Sequence, residues 1–208
     1  HAQLIRKKGH EHEQDYLEKL RAKDLSIIEI PETFDLREQV RQTQEALSSG
    51  PDIIYQAVLL DAPWLGKADF LMKVDEPSDL GDFSYEVADT KLARKPKPYF
   101  LLQLCLYSEI LAGSLGRRPE QAHVLLGNGE QVSFEINKYI HYYRRLKSRF
   151  TAFVDGGAKG TVPDPCAACD LCHWRQRCED EWIAADHLSQ VANISRLQRK
   201  RLVDGEIE

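Results

Sequence analysis

No segment of this 208-residue chain approaches the about 18 consecutive apolar residues that a membrane-spanning helix needs. The longest apolar run, Phe100 to Leu106, is already interrupted by Gln103. A soluble protein without a membrane partner is the expectation. Positive charge is scarce as well: 28 Lys and Arg stand against 33 Asp and Glu, a formal net charge of −5. Holding nucleic acid over a whole surface takes clustered cations, so such contact is confined to local groups, Arg94-Lys95-Pro96-Lys97, Arg144 to Arg149 and Arg196 to Arg201. Runs of this kind also occur as plain solvated surface. The chain begins His1-Ala2-Gln3 with neither an initiating Met nor a signal-peptide core and reads as a fragment or processed product; the cytoplasm is the expected location. Internal repeats are absent too.

What is present suits one compact domain with a small appendage, since 42% of the residues are hydrophobic. Residues 4 to 22 carry Ile5, Tyr16, Leu17 and Leu20 at helical spacing, with Gly9 as an interruption. Ser26 to Ile30 is a short β-branched run, and a helix-compatible segment from Glu32 to Ser49 stops at Ser49-Gly50-Pro51. The period then shortens. Ile53 to Leu60, Ala68 to Val74 and Tyr85 to Thr90 read as a meander of three strands, divided by Asp61-Ala62-Pro63 with Gly66 and by Pro77-Ser78-Asp79 with Gly81. A helix from Tyr99 to Leu115, two strands around Gly127-Asn128-Gly129 and an amphipathic helix from Asn137 to Val154 follow. The expected fold class is α/β, a mixed sheet with flanking helices. We divide the chain into a core of residues 1–160, a Cys-rich segment of 161–182 and a helical extension or linker of 183–208.

Side chains alternate across a strand, so in Tyr85-Glu86-Val87-Ala88-Asp89-Thr90-Lys91 the residues Asp89 and Lys91 share a face and Glu86 takes the other. A carboxylate for a divalent cation beside an ammonium for a developing phosphorane charge is the equipment of metal-assisted phosphodiester hydrolysis. Mg²⁺ wants several oxygen ligands, and Asp69, an acid within an apolar strand, supplies a second. Asp-x-Lys triplets alone are common at solvent-facing strand ends. The helices single this one out. Glu13 lies three, four and seven residues before Tyr16, Leu17 and Leu20, on the apolar stripe, where a carboxylate needs a partner. His12 borders the same stripe as an alternative ligand. Gln103 and Tyr107 stand at i and i+4 on the later helix.

Five cysteines cannot all pair, and four of them, Cys166, Cys169, Cys172 and Cys178, fall within thirteen residues. That spacing suits a metal centre in a reducing compartment better than a disulfide framework. It leaves tetrahedral Zn²⁺ and a [4Fe–4S] cluster both open. Cys105, between Leu104 and Leu106, reads as a buried hydrophobe.

Taken in order, Gly9 with His12-Glu13, Gly66 to Asp69, Asp89-Thr90-Lys91 and Gln103 to Tyr107 resemble the four motifs of RecB-like nucleases of the PD-(D/E)xK superfamily. The resemblance spans nearly the whole chain and is similar in wording to the helicase-fused members, and next to the CRISPR-associated iron–sulfur nucleases. It implies a restriction-endonuclease-like core. It also implies Mg²⁺ or Mn²⁺ held by Glu13 or His12, Asp69, Asp89 and the Thr90 carbonyl, with Lys91 positioning the water. Gln103, Tyr107, Arg94 and Lys95 would contact DNA, single-stranded or frayed. On the cysteines the resemblance points to [4Fe–4S] over zinc, and the partners it implies are DNA and a helicase domain. A catalytically idle DNA-binding module with the same fold is the competing expectation.

Overall fold

The computed structural model describes residues 2–205 of the chain. It divides into two compact units, Gln3–Ala152 and the segment from Phe153 onward. The first is an α/β unit around a six-stranded mixed sheet, flanked by helices. Its order is α1 (Ala2–Arg21), β1 (Ile27–Glu29), α2 (Leu36–Ser49), β2 (Ile53–Asp61), β3 (Trp64–Val74), β4 (Ser84–Lys91), α3 (Pro98–Leu115), β5 (Gln121–Leu126), β6 (Gln131–Glu135) and α4 (Ile140–Asp155). The strands lie side by side in sequence order. β2, β3 and β4 form the expected antiparallel meander, β1 joins β2 in parallel, and α3 carries the chain over to a parallel β4–β5 pairing.

Each face of the sheet has its own core. Tyr85, Val87 and Val124 look towards Leu104 and Leu111 of α3 and Leu47 of α2, while Phe70, Ala88 and Tyr55 pack with Leu17 and Leu20 of α1. Burial of such side chains contributes about 1.5–3 kcal/mol each. This explains a departure from expectation: α1 runs unbroken through Gly9. One helical glycine costs only about 1 kcal/mol, less than the packing of Leu17 and Leu20 supplies. Among the described residues no helix is long and apolar enough to cross a membrane.

A second departure concerns β3. The sequence suggests that it begins near Ala68, yet it starts at Trp64, straight after a two-residue turn at Ala62 and Pro63, and Gly66 lies inside the strand opposite Leu59. A Cβ on Gly66 would stand 2.4 Å from Cε1 of Tyr107. The glycine is there because the Tyr107 ring lies against the backbone of β3.

The second unit holds the Cys segment together with α5 (Arg175–Ala184) and α6 (Arg196–Asp204). Trp182 donates its indole N–H to the Pro163 carbonyl at 2.9 Å, and Asp164 accepts from Arg199 and pairs with Arg196. A capping box at Ser195 and Gln198 opens α6.

Candidate active site

β2 and β3 change face in mid-strand, and the site is built on that change. Tyr55 and Phe70 are cross-strand neighbours on the α1 side, whereas Ala57 and Ala68, two residues along, belong to the α3 side. A regular strand keeps i and i+2 on one face. The switch falls at Gln56, whose φ of 59° lies in the left-handed region, with Asp69 at the matching place on β3. A non-glycine residue held there costs about 1–2 kcal/mol, so the surrounding pairing enforces it. The consequence is positional: Asp69 stands where residues from both faces of the sheet approach.

From the α1 face comes Glu13. Its Oε1 accepts from the Tyr55 hydroxyl at 2.7 Å and from the Gln56 amide, and Gln14 in turn donates to Tyr55 at 2.8 Å. From the α3 face comes Asp89, only 2% exposed. Its Oδ1 accepts from the Gln103 amide at 3.2 Å, and its Oδ2 is ion-paired with the Lys91 ammonium. No other donor among the described residues reaches that oxygen. Asp69 bridges the two groups. Its Oδ2 accepts from the Thr90 amide at 2.7 Å and the Thr90 hydroxyl at 2.6 Å.

Electrostatics tie the three acids together. Burial, and then the charge of Asp69, push the Asp89 carboxyl up to about 7; Lys91 opposes this and Glu13 adds to it. Glu13 is raised as well, by burial first and by Asp69 second, against the hydrogen bonds of Tyr55 and Gln56. Carboxyls raised by neighbouring carboxylates mark a group short of positive charge. Lys91 alone does not balance three carboxylates.

Gln103 also donates to the Tyr107 hydroxyl at 2.9 Å, so α3 meets the site through the linked pair expected from its i, i+4 spacing. His12 is turned elsewhere, with Nε2 3.2 Å from the Leu125 carbonyl. Of the two α1 candidates, the charge on Glu13 is the one that acts on Asp89. Arg94 and Lys95 are exposed in the loop between β4 and α3 and enter no ion pair among the described residues. Glu86 lies on the far face of β4, as alternation requires, where it meets Nε2 of His123 at 2.9 Å and accepts from the Gln121 amide. Sequence reasoning missed Tyr55 and Gln56. An uncharged Tyr-Gln pair within an apolar strand gives no periodic signal, and the left-handed turn at Gln56 arises from sheet pairing.

As the side chains stand, no three His, Cys, Asp or Glu among the described residues are gathered into a group that could hold a metal ion. In the sheet the reason is that each carboxylate is turned onto a protein donor. In the second unit Cys166 and Cys169 approach to 4.0 Å between sulfurs, and the Cys166 amide donates to Cys169 Sγ at 3.3 Å. The Cys178 thiol is raised by local desolvation, then by Glu181, Cys172 and Cys169, so their charges are felt there. All five cysteines are free thiols, Cys105 being the buried one. No protein-family model matches the chain, and no curated protein matches it in sequence.

Proposed function

We propose that the chain is a divalent-metal-dependent DNA nuclease with a restriction-endonuclease-like core, in which Asp69, Asp89, Glu13 and the Thr90 carbonyl hold the metal and Lys91 assists. The observation that carries this reading is the coupled acid group: three carboxylates from α1, β3 and β4 with one lysine among them, and Asp89 pushed up to about 7 by burial and by Asp69. Hard carboxylate oxygens fit Mg²⁺ or Mn²⁺. When bound, such an ion supplies Lewis acidity at a phosphoryl oxygen and a water of lowered pKa.

The protein residues have distinct tasks. Gln103 holds Asp89 in orientation through Oδ1 and leaves Oδ2 to face Lys91. Thr90 fixes one oxygen of Asp69 with two hydrogen bonds, so the other points away from β4's amide. Tyr55 and Gln56 do the same for Glu13. The Lys91 ammonium orients the attacking water or neutralises charge on the phosphorane oxygens. Arg94 and Lys95, exposed beside the site, face the phosphates of the strand.

The four cysteines are proposed to bind a metal centre with no part in hydrolysis, a [4Fe–4S] cluster or Zn²⁺. Tetrahedral Zn–S bonds of about 2.3 Å place sulfurs about 3.8 Å apart, close to the 4.0 Å between Cys166 and Cys169. Free thiols suit a reducing, cytoplasmic setting, and a helicase domain is the proposed partner.

The test is digestion of labelled single- and double-stranded DNA with Mn²⁺ by the chain and by its Asp89→Ala and Lys91→Ala variants. Cleavage by the chain and a loss of about 10²-fold or more in each variant is expected. Equal activity in all three removes the assignment.

A further inference from the structure

Beside the acid group, the sheet unit carries an apolar recess of about 380 Å³ that the roles above leave unused. It is lined by Trp64 and Leu65 from the start of β3, Leu102 and Leu106 from α3, and Leu146 and Phe150 from α4, with Gln103 and Tyr107 as one wall. Those last two join it to the site, because Gln103 donates both to Asp89 and to Tyr107. Whatever enters the recess sits one side chain away from the carboxylates.

Its chemistry is that of a flat aromatic ligand. The Trp64 and Phe150 rings stand 5.9 Å apart between centroids, inclined at 52°. A planar guest would therefore stack on one ring and meet the other at its edge, both favourable arrangements. Phe150 is 56% exposed and Leu65 49%, while Trp64 is half-buried, so the Phe150 ring is the one open to solvent. The Lys147 ammonium lies 5.0 Å from the Trp64 centroid, held by Glu109 at 2.7 Å. It stands over the indole, so a guest has the exposed Phe150 ring to stack on. Three residues before Lys147 on α4, Arg144 is 52% exposed and pairs with the same Glu109, so two cations share one carboxylate at the recess that Lys147 lines. Apolar aromatic walls beside a surplus of positive charge complement a base attached to a phosphate backbone.

We infer that this recess is a nucleobase-binding subsite: it takes one unpaired base of the strand being cut, stacked on Phe150 against Trp64, with Lys147 and Arg144 towards the adjoining phosphate. The inference rests on the nuclease reading for its strand. It adds a selection rule, since a base held in a duplex cannot turn out onto these rings.

The test is a titration of the full chain with a short oligodeoxythymidylate in EDTA, read by tryptophan fluorescence, beside the same oligomer made abasic. Quenching that Trp64→Phe largely removes is expected, together with affinity lowered about 5- to 150-fold by Phe150→Ala. Because Phe150 is exposed, its truncation leaves folding intact, as circular dichroism checks. Duplex affinity should not respond to Phe150→Ala. Equal affinity for the abasic strand, or an affinity that ignores both variants, overturns the subsite. If the chain still cuts DNA in that event, the nuclease reading stands alone. If instead the chain binds through Trp64 and Phe150 but cuts nothing with Mn²⁺, the subsite stands and the nuclease reading falls.

Discussion

The two proposed metal sites lie in opposite conditions. In the sheet unit the acids rest on rigid strands, two core clusters hold those strands, and every carboxylate has its own protein partner. In the unit from Phe153 onward, Trp182 is the one buried apolar residue among those described, and Cys166 and Cys172 are exposed. A site mounted on packed elements keeps its shape without its ion. A thiol set on a loop that lacks a core gains its shape from the ion, so metal binding and folding become one free energy. The difference teaches where metal removal should be harmless to the fold and where it should not.

The largest expected effect breaks the second unit alone. Structural zinc in small folds is worth about 10–16 kcal/mol, so replacing Cys172 and Cys178 together with Ser should abolish bound metal and open residues from Phe153 onward to proteolysis. Mass spectrometry of the fragments should show Gln3–Ala152 still resistant. Early cleavage inside the sheet unit would erase the contrast drawn between the two.

The acid site offers a pH test. Burial and then Asp69 push the folded Asp89 carboxyl up to about 7, above its ordinary value near 3.9. A raised folded pKa stabilises below the unfolded pKa and loses that stabilisation as pH rises through the folded one. Thermal unfolding in EDTA should therefore show stability falling between about pH 4 and 7. Asp89→Asn should flatten that fall, and Mn²⁺ should reverse it in the parent chain. A slope unchanged in Asp89→Asn would place its cause in other groups.

Smaller effects sharpen the geometry within the sheet unit. Gly66→Ala drives a Cβ to 2.4 Å from Tyr107, and overpacking of this kind costs about 1–3 kcal/mol. Chemical denaturation should show that loss, with slower cleavage because Tyr107 and Gln103 shift together. Glu86→Gln leaves one bond to His123 or Gln121 impaired in a buried pocket, at about 1–3 kcal/mol. Its cleavage rate should stay at the parent level, since Glu86 lies on the face away from Asp89. A drop in rate with unchanged stability would contradict that separation.

Much of this was legible in the residues. The apolar run Ile53–Leu60, the alternation in Tyr85–Thr90, the helical spacing of Tyr99–Leu115 and the Gly127-Asn128-Gly129 turn are local signals, and local sterics are what such patterns record. The same alternation separated Glu86 from Asp89 and Lys91, and the stripe position of Glu13 marked it as an acid needing partners. Other features are not local. The face change at Gln56 and Asp69 depends on which strands pair and in what register, and neither residue type favours it by itself. The glycine at 66 looked like a turn residue because a single chain cannot announce that an aromatic ring from α3 will lie over it.

By itself the sequence determined the element types, the mixed α/β class and the identity of the acids and thiols, because these follow from spacing along one chain. Only the tertiary structure decided that α1 and α3 address one acid group from opposite faces of the sheet, that Tyr55 and Gln56 hold Glu13, and that Trp64 and Phe150 flank a recess beside Asp89. Those are contacts between residues distant in sequence, and packing alone selects them.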